Sequence, residues 1–314
     1  MSAAKSSTAT ATTATADSPQ EPPSGCYVGR FAPTPSGALH LGSLYTAVAS
    51  YLDARAHRGR WLLRIEDLDR PREVAGSAAG ILRTLREFGF RWDGEAVRQS
   101  ERSELYAAAL HSLQARGLTF ECSCSRLQLE DESRYPGTCR ARPQSAGVPA
   151  ATRLRVEPGL IQFRDRIQGA YRQDVSAAAG EVILKRRDRI YAYLLAVVID
   201  DAEQGVTHVV RGADLLDNTP RQIHLQRCLG LALPEYAHVP VLTEPDDAKL
   251  AKSRRSVGLE AQHALPQLLA VFSLLGLAPP RSLEGSSVAD AWDWAIAHWD
   301  IRHVPKRLNL RLTG

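Results

Sequence analysis

The chain has 314 residues, of which 44% are hydrophobic and 24% are charged, which fits about two globular units and excludes a collagen-like, coiled-coil or fully disordered protein. The 39 Lys and Arg residues nearly balance the 35 Asp and Glu residues, giving a net charge of +4, so any contact with nucleic acid must be a local basic patch. The sequence contains no uncharged apolar run of membrane-spanning length and no apolar segment typical of a secretory signal, so we expect a cytoplasmic protein without membrane contact.

The first 25 residues are rich in Ser, Thr and Ala and lack a periodic apolar pattern, which predicts a disordered tail over residues 1–25. A transit peptide is the alternative interpretation. Such peptides are rich in Arg and poor in acidic residues, whereas this segment has no Arg and carries Asp17 and Glu21. The disordered tail is therefore favoured.

The next segment has the pattern of a βαβ unit. A predicted strand at residues 27–31 leads through a Pro/Gly turn at residues 33–37 into an amphipathic helix, and a second strand follows at residues 61–66. Two strands joined by a helix at this spacing indicate a parallel sheet with a right-handed crossover. Further helical patterns follow at residues 80–88 and 103–116.

The region from about residue 100 to residue 185 differs from its surroundings and is predicted to be an insertion. It contains a cysteine cluster, a Pro/Gly/Ser loop at residues 143–149 and short β-like runs at residues 152–156 and 161–167. The α/β pattern then resumes with a helix, a strand, a helix and a strand, predicted at residues 191–201, 206–211, 220–229 and 238–242. The remainder, residues 260–314, is predicted to form helices at residues 262–275 and 288–298 without strands.

The junction between the first strand and the first helix has the pattern Pro-x-Pro-x-Gly-x-x-His-x-Gly, from Pro33 to Gly42. The start of a helix presents free N–H groups and a positive dipole end, which suits a phosphate. His40 could donate a hydrogen bond to a phosphate oxygen, and Gly42 would let a flat base lie against the backbone. The alternative, a capped turn with a surface His, does not explain the density of Pro and Gly.

A second basic motif follows the predicted strand at residues 238–242. Lys249 and Lys252 lie three residues apart in a loop, where they could neutralise the charge that develops on a triphosphate during phosphoryl chemistry. Taken alone, a solvated basic run is the more common explanation of such a cluster.

Three of the five cysteines, Cys122, Cys124 and Cys139, lie close together in the sequence and predict a metal site in a reducing compartment. The other two, Cys26 and Cys228, are interpreted as small buried apolar residues. Three thiolates require a fourth ligand for tetrahedral zinc. Three cysteines without a metal remain the alternative, which this spacing disfavours.

No His lies between His111 and His208, so the fourth zinc ligand should be an oxygen. Tyr135 is the best placed, four residues before the last cysteine and next to a Pro-Gly turn, while Asp131 and Glu132 are alternatives. A structural role for the zinc is preferred over a catalytic one, because catalytic zinc keeps an open position beside His or carboxylate ligands.

Together, the two phosphate-binding motifs resemble the HIGH and KMSKS signatures of class I aminoacyl-tRNA synthetases. Residues 29–37, 64–69 and 209–216 look like the glutamyl branch of that family, and the resemblance extends over residues 27–253. The sequence departs from the family pattern at Ser43, Leu250 and Ala251. The resemblance implies an α/β fold with a Rossmann-type parallel sheet in a catalytic domain at residues 26–259, a zinc-bearing insertion that receives the acceptor end of tRNA, and a C-terminal helical region.

The residue chemistry agrees with a glutamate substrate. Arg30 and Arg211, each at the end of a predicted strand, suit the side-chain carboxylate, because Arg offers a bidentate fork. Glu66 suits the α-ammonium group, and Tyr193 could close the pocket. The alternative for Glu66 is a surface ion-pair cluster with Arg64, Asp67 and Asp69. The resemblance implies the same binding residues, together with the segment that follows Arg30, namely Phe31, Ala32, Pro33 and Thr34.

About sixty residues follow Ser253, too few for an anticodon-binding domain of ordinary size. This short form resembles the glutamyl-Q-tRNA(Asp) synthetase family. The resemblance implies that the enzyme activates L-glutamate with ATP without tRNA, and transfers it to the queuosine base of tRNA(Asp). We expect Mg²⁺ to accompany the ATP, and we expect a monomer. His40 and Lys252 would stabilise the transition state, Gly42 and Lys249 would also contact ATP, and one zinc ion would have a structural role. The alternatives are a truncated glutamyl-tRNA synthetase that charges tRNA(Glu) and a non-catalytic zinc-containing tRNA-binding protein.

Overall fold

The structure is a computed structural model that describes residues 26–125, 127–129, 134–142, 147–243 and 259–312. Several sequence predictions fall outside these ranges. They are the disordered tail at residues 1–25, the basic loop with Lys249 and Lys252, and the alternative zinc ligands Asp131 and Glu132.

The described residues form twelve strands and eight α-helices. The strands are β1 Val28–Phe31, β2 Arg60–Ile65, β3 Val97–Arg98, β4 Thr119–Cys122, β5 Ala151–Leu154, β6 Leu160–Asp165, β7 Gly169–Asp174, β8 Ile183–Lys185, β9 His208–Gly212, β10 Glu235–Val239, β11 Val241–Thr243 and β12 Asn309–Arg311. The helices are α1 Leu41–Ala56, α2 Ser77–Glu87, α3 Ser103–Ala115, α4 Val175–Ala178, α5 Tyr193–Glu203, α6 Thr219–Leu229, α7 Ala264–Leu274 and α8 Val288–His298. None of these helices has the length and apolar character needed to cross a membrane.

Five of the strands pair in parallel around α1. β1 pairs with β2, β2 pairs with β3, and β9 pairs with β10, all in parallel. The backbone N–H of Thr207 donates to the carbonyl of Val28 over 2.9 Å, so β9 lies next to β1. The carboxyl ends of β1, β2 and β9 therefore meet at one edge, as the βαβ pattern predicts.

The helix α1 forms the centre of the largest apolar core. Its residues are buried almost all the way round, because the sheet packs on one side and the C-terminal helices α7 and α8 pack on the other. Trp292 of α8 contacts the rings of Tyr51 and Phe90 at centroid distances of 4.8 and 4.9 Å. The C-terminal helices α7 and α8 therefore share a core with the parallel sheet.

The absence of strands predicted for residues 260–314 is wrong. β12 pairs in parallel with β11, with Leu310 opposite Leu242. The strand predicted at residues 238–242 is in fact two strands, β10 and β11, that are separated by Pro240, which has no N–H to donate to a ladder.

The predicted insertion contains two separate sheets. β4, β5 and β8 form an antiparallel sheet beside the cysteine cluster, whereas β6 and β7 form a hairpin. The hairpin packs against β10 and α6, with the rings of Phe163 and Tyr236 at a centroid distance of 5.8 Å. The β6–β7 hairpin therefore supports the parallel sheet.

Candidate active site

A cavity of about 650 Å³ opens at the carboxyl ends of β1, β2 and β9. Seven of the side chains that the sequence predicts to bind glutamate line it: Arg30, Phe31, Ala32, Thr34, Glu66, Tyr193 and Arg211. Pro33 is not among the lining residues, but its carbonyl accepts a hydrogen bond from the backbone N–H of Glu66 over 3.0 Å. This bond holds the end of β2 against the turn that follows β1.

Arg30 is buried and is held by a carboxylate from another element. Its Nε and Nη2 donate to Asp201 of α5 over 3.2 and 3.5 Å. Asp201 also accepts a hydrogen bond from the fully buried Arg64 over 2.7 Å. Burial raises the pKa of Asp201, but Arg30 and Arg64 outweigh this effect and lower the pKa overall, so Asp201 is an anionic anchor between two guanidinium groups.

Arg211 reaches the same cavity from β9. Its Nε donates to Nε2 of His238 over 3.0 Å, and its Nη2 donates to Oγ1 of Thr219 over 2.8 Å. The remaining nitrogen, Nη1, is buried and has no hydrogen-bond partner among the described residues. A buried donor without a partner is costly, so this nitrogen is suited to a ligand atom in the cavity.

Glu66 follows the last residue of β2 and supplies a carboxylate to the cavity. Burial raises its pKa to about 7, although Arg64, at 3.7 Å, and Arg30 oppose the shift. The alternative that this segment forms surface ion pairs is wrong for Arg64 and Asp67, which are buried. Asp67 accepts a hydrogen bond from the backbone N–H of Ser100 over 2.8 Å. It therefore connects the end of β2 to the segment before α3, and it is not among the residues that line the cavity.

Tyr193 begins α5 and is 39% exposed, at the open side of the cavity. Several lining residues were not predicted from the sequence, including Gln99, Arg186 and Tyr191. Asp201 and His238, which hold Arg30 and Arg211 in place, were also not predicted from the sequence. They lie on elements that only the tertiary structure brings to this edge of the sheet, and no local motif marks them.

His40 lies at the amino end of α1, where it is the N-cap residue. Its Nδ1 accepts a hydrogen bond from the backbone N–H of Ser43 over 3.3 Å. Burial lowers its pKa, so the ring is neutral near pH 7 and its Nε2 carries the proton. His40 can therefore donate from Nε2 to an acceptor such as a phosphate oxygen. It does not line the 650 Å³ cavity itself, but Thr46 of the same helix does.

The structure gives a reason for a glycine at position 42 that the sequence did not reveal. A Cβ atom at this position would lie 3.1 Å from both Cε1 and Nδ1 of His40. The missing side chain therefore makes room for the capping imidazole. The proposed contact between Gly42 and the base of ATP remains a prediction.

The three clustered cysteines meet in space. The Sγ atoms of Cys122, Cys124 and Cys139 all lie within 4.8 Å of one another, and those of Cys124 and Cys139 are 3.5 Å apart. Sulfur ligands of tetrahedral zinc are separated by about 3.8 Å, because each Zn–S bond is about 2.3 Å long. The cluster is therefore compatible with a zinc ion.

Tyr135 lies beside this cluster, as the sequence predicts. Its hydroxyl is 3.3 Å from Sγ of Cys122 and accepts a hydrogen bond from the backbone N–H of Cys139 over 2.9 Å. The guanidinium of Arg153 lies 3.8 Å from the centre of its ring. These contacts fit an oxygen ligand that completes the cysteine set, and its binding to zinc remains a prediction. Of the other two cysteines, the prediction is wrong for Cys26, which is exposed, whereas Cys228 is half-buried and packs against an apolar core.

Replacing Cys139 with serine should remove the bound metal and loosen the β4–β5–β8 sheet, because a structural zinc site contributes directly to folding. Zinc content by plasma mass spectrometry should fall from about one ion per chain to near zero, with a lower midpoint of thermal unfolding. Cys26→Ser, at an exposed cysteine outside the cluster, is the matched control and should retain the metal. Full zinc content in Cys139→Ser would contradict the site.

Comparison with known proteins gives a consistent result. The family described as tRNA synthetases class I (E and Q), catalytic domain, matches residues 27–280. A glutamyl-Q tRNA(Asp) synthetase of Pseudomonas fluorescens is 53% identical over 288 residues, which cover 91% of this chain and 96% of that protein. The enzyme of the same name from Ectopseudomonas mendocina is 54% identical, over 90% of this chain and 97% of that protein.

The fold is shared with solved structures of longer synthetases. A crystal structure of a glutamate-tRNA synthetase from Elizabethkingia anophelis has a TM-score of 0.78 and 23% identity, and the match covers 92% of this chain and 68% of that chain. The Rossmann-type class I catalytic fold predicted from the sequence is thus confirmed.

Proposed function

Because the chain belongs to the class I tRNA synthetases for glutamate and glutamine, and within them to the glutamyl-Q tRNA(Asp) synthetases, we propose that it activates L-glutamate with ATP and transfers it to queuosine in tRNA(Asp). The activation step proceeds without tRNA. The enzyme acts in the cytoplasm as a monomer, and Mg²⁺ accompanies the ATP.

The observation that supports this function best is the charge arrangement of the 650 Å³ cavity. Two buried arginines, Arg30 and Arg211, and one partly buried carboxylate, Glu66, face a single cavity. A dicarboxylic amino acid has one side-chain carboxylate and one ammonium group, which require a cation and an anion respectively. Arg211 offers its free Nη1 to the side-chain carboxylate, and Glu66 receives the ammonium group.

The reaction consists of two displacements. In the first, an oxygen of the glutamate α-carboxylate attacks the α-phosphorus of ATP and forms glutamyl-adenylate, while pyrophosphate leaves. In the second, a hydroxyl of queuosine attacks the acyl carbon, and AMP leaves. His40 donates from Nε2 to a phosphate oxygen, and Lys249 and Lys252 neutralise the triphosphate. The chain supplies placement and charge, and it forms no covalent bond with either reactant.

The cysteine cluster has a structural part in this proposal. Cys122, Cys124, Cys139 and Tyr135 would hold a zinc ion, which fixes the β4–β5–β8 sheet and supplies no chemistry to either step. The 3.0 Å hydrogen bond from the N–H of Tyr135 to the carbonyl of Ala179 connects this cluster to the segment before β8. That segment leads to the rim of the glutamate cavity, where Ile183 lies.

Two assays test the proposed function. Exchange of labelled pyrophosphate into ATP should occur with glutamate in the absence of any tRNA, and labelled glutamate should then appear on tRNA(Asp) that contains queuosine but not on tRNA(Asp) that lacks it. Exchange that depends strictly on tRNA(Glu) would instead favour a truncated glutamyl-tRNA synthetase. Absence of exchange with either tRNA would favour a non-catalytic binding protein.

The raised pKa of Glu66 predicts how glutamate binding depends on pH. The carboxylate must be ionised to receive the ammonium group, and burial raises its pKa to about 7. Lowering the pH from 8 to 6 should therefore reduce kcat/KM for glutamate by about tenfold, because only about a tenth of Glu66 is ionised at pH 6. Pyrophosphate exchange at subsaturating glutamate measures this profile.

The control for this titration is Glu66→Gln, which has a nearly identical shape but cannot ionise. It should have a high KM for glutamate at every pH and should lose the ionisation near pH 7. A profile in Glu66→Gln that matches the wild-type profile would assign the titration to another group.

A further inference from the structure

Arg211 is supported by two buried residues that do not line the cavity. His238 lies directly opposite Arg211 in the parallel register of β9 and β10, and it is 0% exposed. Its Nε2 is 3.0 Å from Nε of Arg211. On its other side, its Nδ1 is 2.5 Å from Oδ2 of Asp165, at the end of β6. Asp165, His238 and Arg211 thus form a continuous buried chain of hydrogen bonds.

The direction of each hydrogen bond in this chain follows from the chemistry of the groups. The Nε–H of arginine can only donate, so Nε2 of His238 must accept and its proton must be on Nδ1. That proton points at Asp165. Burial lowers the pKa of His238, and the pKa of Asp165 is also lowered, because its hydrogen bonds with His238 and backbone N–H groups outweigh burial. The pair is a neutral imidazole beside a carboxylate.

The carboxylate of Asp165 has a fixed orientation. Its Oδ1 accepts hydrogen bonds from three backbone N–H groups, those of Ile167 at 3.0 Å, Gln168 at 2.8 Å and His238 at 3.2 Å. Only Oδ2 is therefore left for the imidazole. The turn of the β6–β7 hairpin supplies two of these N–H groups, which gives the hairpin a connection to the cavity.

We propose that Asp165 and His238 are positioning residues that hold Arg211 so that its Nη1 meets the side-chain carboxylate of glutamate. His238 binds Nε and Thr219 binds Nη2, so the guanidinium has its third nitrogen left for the cavity. Asp165 acts through His238, because it selects the tautomer that presents a lone pair to Arg211. This inference rests on the proposed function, in which Arg211 binds glutamate.

The substitution Asp165→Asn tests this role because it should invert the tautomer. The three backbone N–H groups require an oxygen at the position of Oδ1, so the amide NH₂ of Asn must occupy the position of Oδ2. It then donates to Nδ1 of His238, whose proton moves to Nε2 and faces the Nε–H of Arg211. Two donors face each other, and Arg211 loses an acceptor. We expect KM for glutamate to rise roughly tenfold or more, with kcat and KM for ATP within about twofold of wild type.

Two further measurements separate a positioning role from a merely structural one. Nitrogen-15 spectra of histidine-labelled protein should show His238 protonated on Nδ1 in the wild type and on Nε2 in Asp165→Asn. The double variant Asp165→Asn/His238→Gln places a side-chain oxygen opposite Arg211 without a tautomer constraint, and it should recover much of the lost affinity. Tyr171→Phe is the matched control, because it removes a 2.5 Å hydrogen bond to Asp217 and a 3.5 Å hydrogen bond from Gln173 in the same hairpin, both remote from His238, and should leave KM unchanged.

The outcomes that would overturn the proposal are distinct from those that would overturn the proposed function. An inverted tautomer with an unchanged KM for glutamate, or a wild-type His238 protonated on Nε2, rejects the positioning role alone. If Asp165→Asn does not fold, the wild-type spectrum still decides the tautomer. If Arg211→Ala itself binds glutamate normally, the assignment of the cavity fails, whatever His238 does.

Discussion

Arg211→Ala is expected to reduce the activation of glutamate by at least about a hundredfold. The substitution removes the buried donor Nη1 and leaves the substrate's side-chain carboxylate without its cation in a desolvated cavity. Breaking a buried charge pair in this way costs about 3–5 kcal/mol, which corresponds to a loss of roughly a hundredfold to several thousandfold in kcat/KM for glutamate. Pyrophosphate exchange at varied glutamate concentration measures the loss.

Two further variants serve as controls. One tests for loss of the fold, and the other tests whether a positive charge without the arginine fork is sufficient. Arg227→Ala removes an exposed arginine from α6, outside the cavity, and should keep wild-type activity. Arg211→Lys retains the positive charge but lacks the fork that binds His238 and Thr219, so it should still lose tenfold or more. ATP binding and the thermal unfolding midpoint show whether each variant is folded. Normal activation by a folded Arg211→Ala would remove Arg211 from the substrate site.

Asp53→Ala should have the largest effect on stability. Asp53 is 0% exposed in α1 and accepts hydrogen bonds from three distant parts of the chain. The donors are the hydroxyl of Tyr27 at 2.5 Å, Nη1 of Arg166 at 2.5 Å and the indole N–H of Trp299 at 3.0 Å. Alanine removes the acceptor of all three donors and leaves Arg166 with only the exposed Glu235, at 3.7 Å, as an acidic partner, so we expect a loss of about 3–5 kcal/mol in unfolding free energy.

This loss should lower the thermal midpoint by roughly 5–15 °C for a chain of this size, as measured by circular dichroism. The matched control is Glu157→Ala, which removes the exposed partner of Arg140 and should cost less than about 1 kcal/mol. Equal midpoints for the two variants would show that Asp53 does not hold these segments together.

The main elements could be predicted because their signals are local. The strand, turn, helix and strand of the βαβ unit follow from apolar periodicity and from the Pro and Gly residues between them, and the structure has β1, α1 and β2 at these places. That Arg30, Glu66 and Arg211 line one cavity could be predicted because each stands at or just beyond the end of a strand. Parallel strands bring such positions to the same edge of the sheet.

Elements that depend on distant partners could not be predicted in the same way. β12 has only three residues, Asn309–Arg311, and two of them are polar, so its composition does not indicate a strand. It forms because β11, some 70 residues earlier in the chain, offers a parallel edge. β7 likewise depends on its partner β6, because its own sequence, Gly169–Asp174, contains only two apolar side chains, Ala170 and Tyr171.

By itself, the sequence determined which chemical groups stand at the strand ends, at the start of α1 and in the cysteine cluster, because these are properties of neighbouring residues. Only the tertiary structure decided the environment of those groups. The pKa of Glu66 is raised because the fold buries it, and Arg30 and Arg211 are oriented by Asp201 and His238, which lie 171 and 27 residues away from them in the chain. Burial and hydrogen-bond partners depend on residues that meet only after folding, so no local pattern in the sequence encodes them.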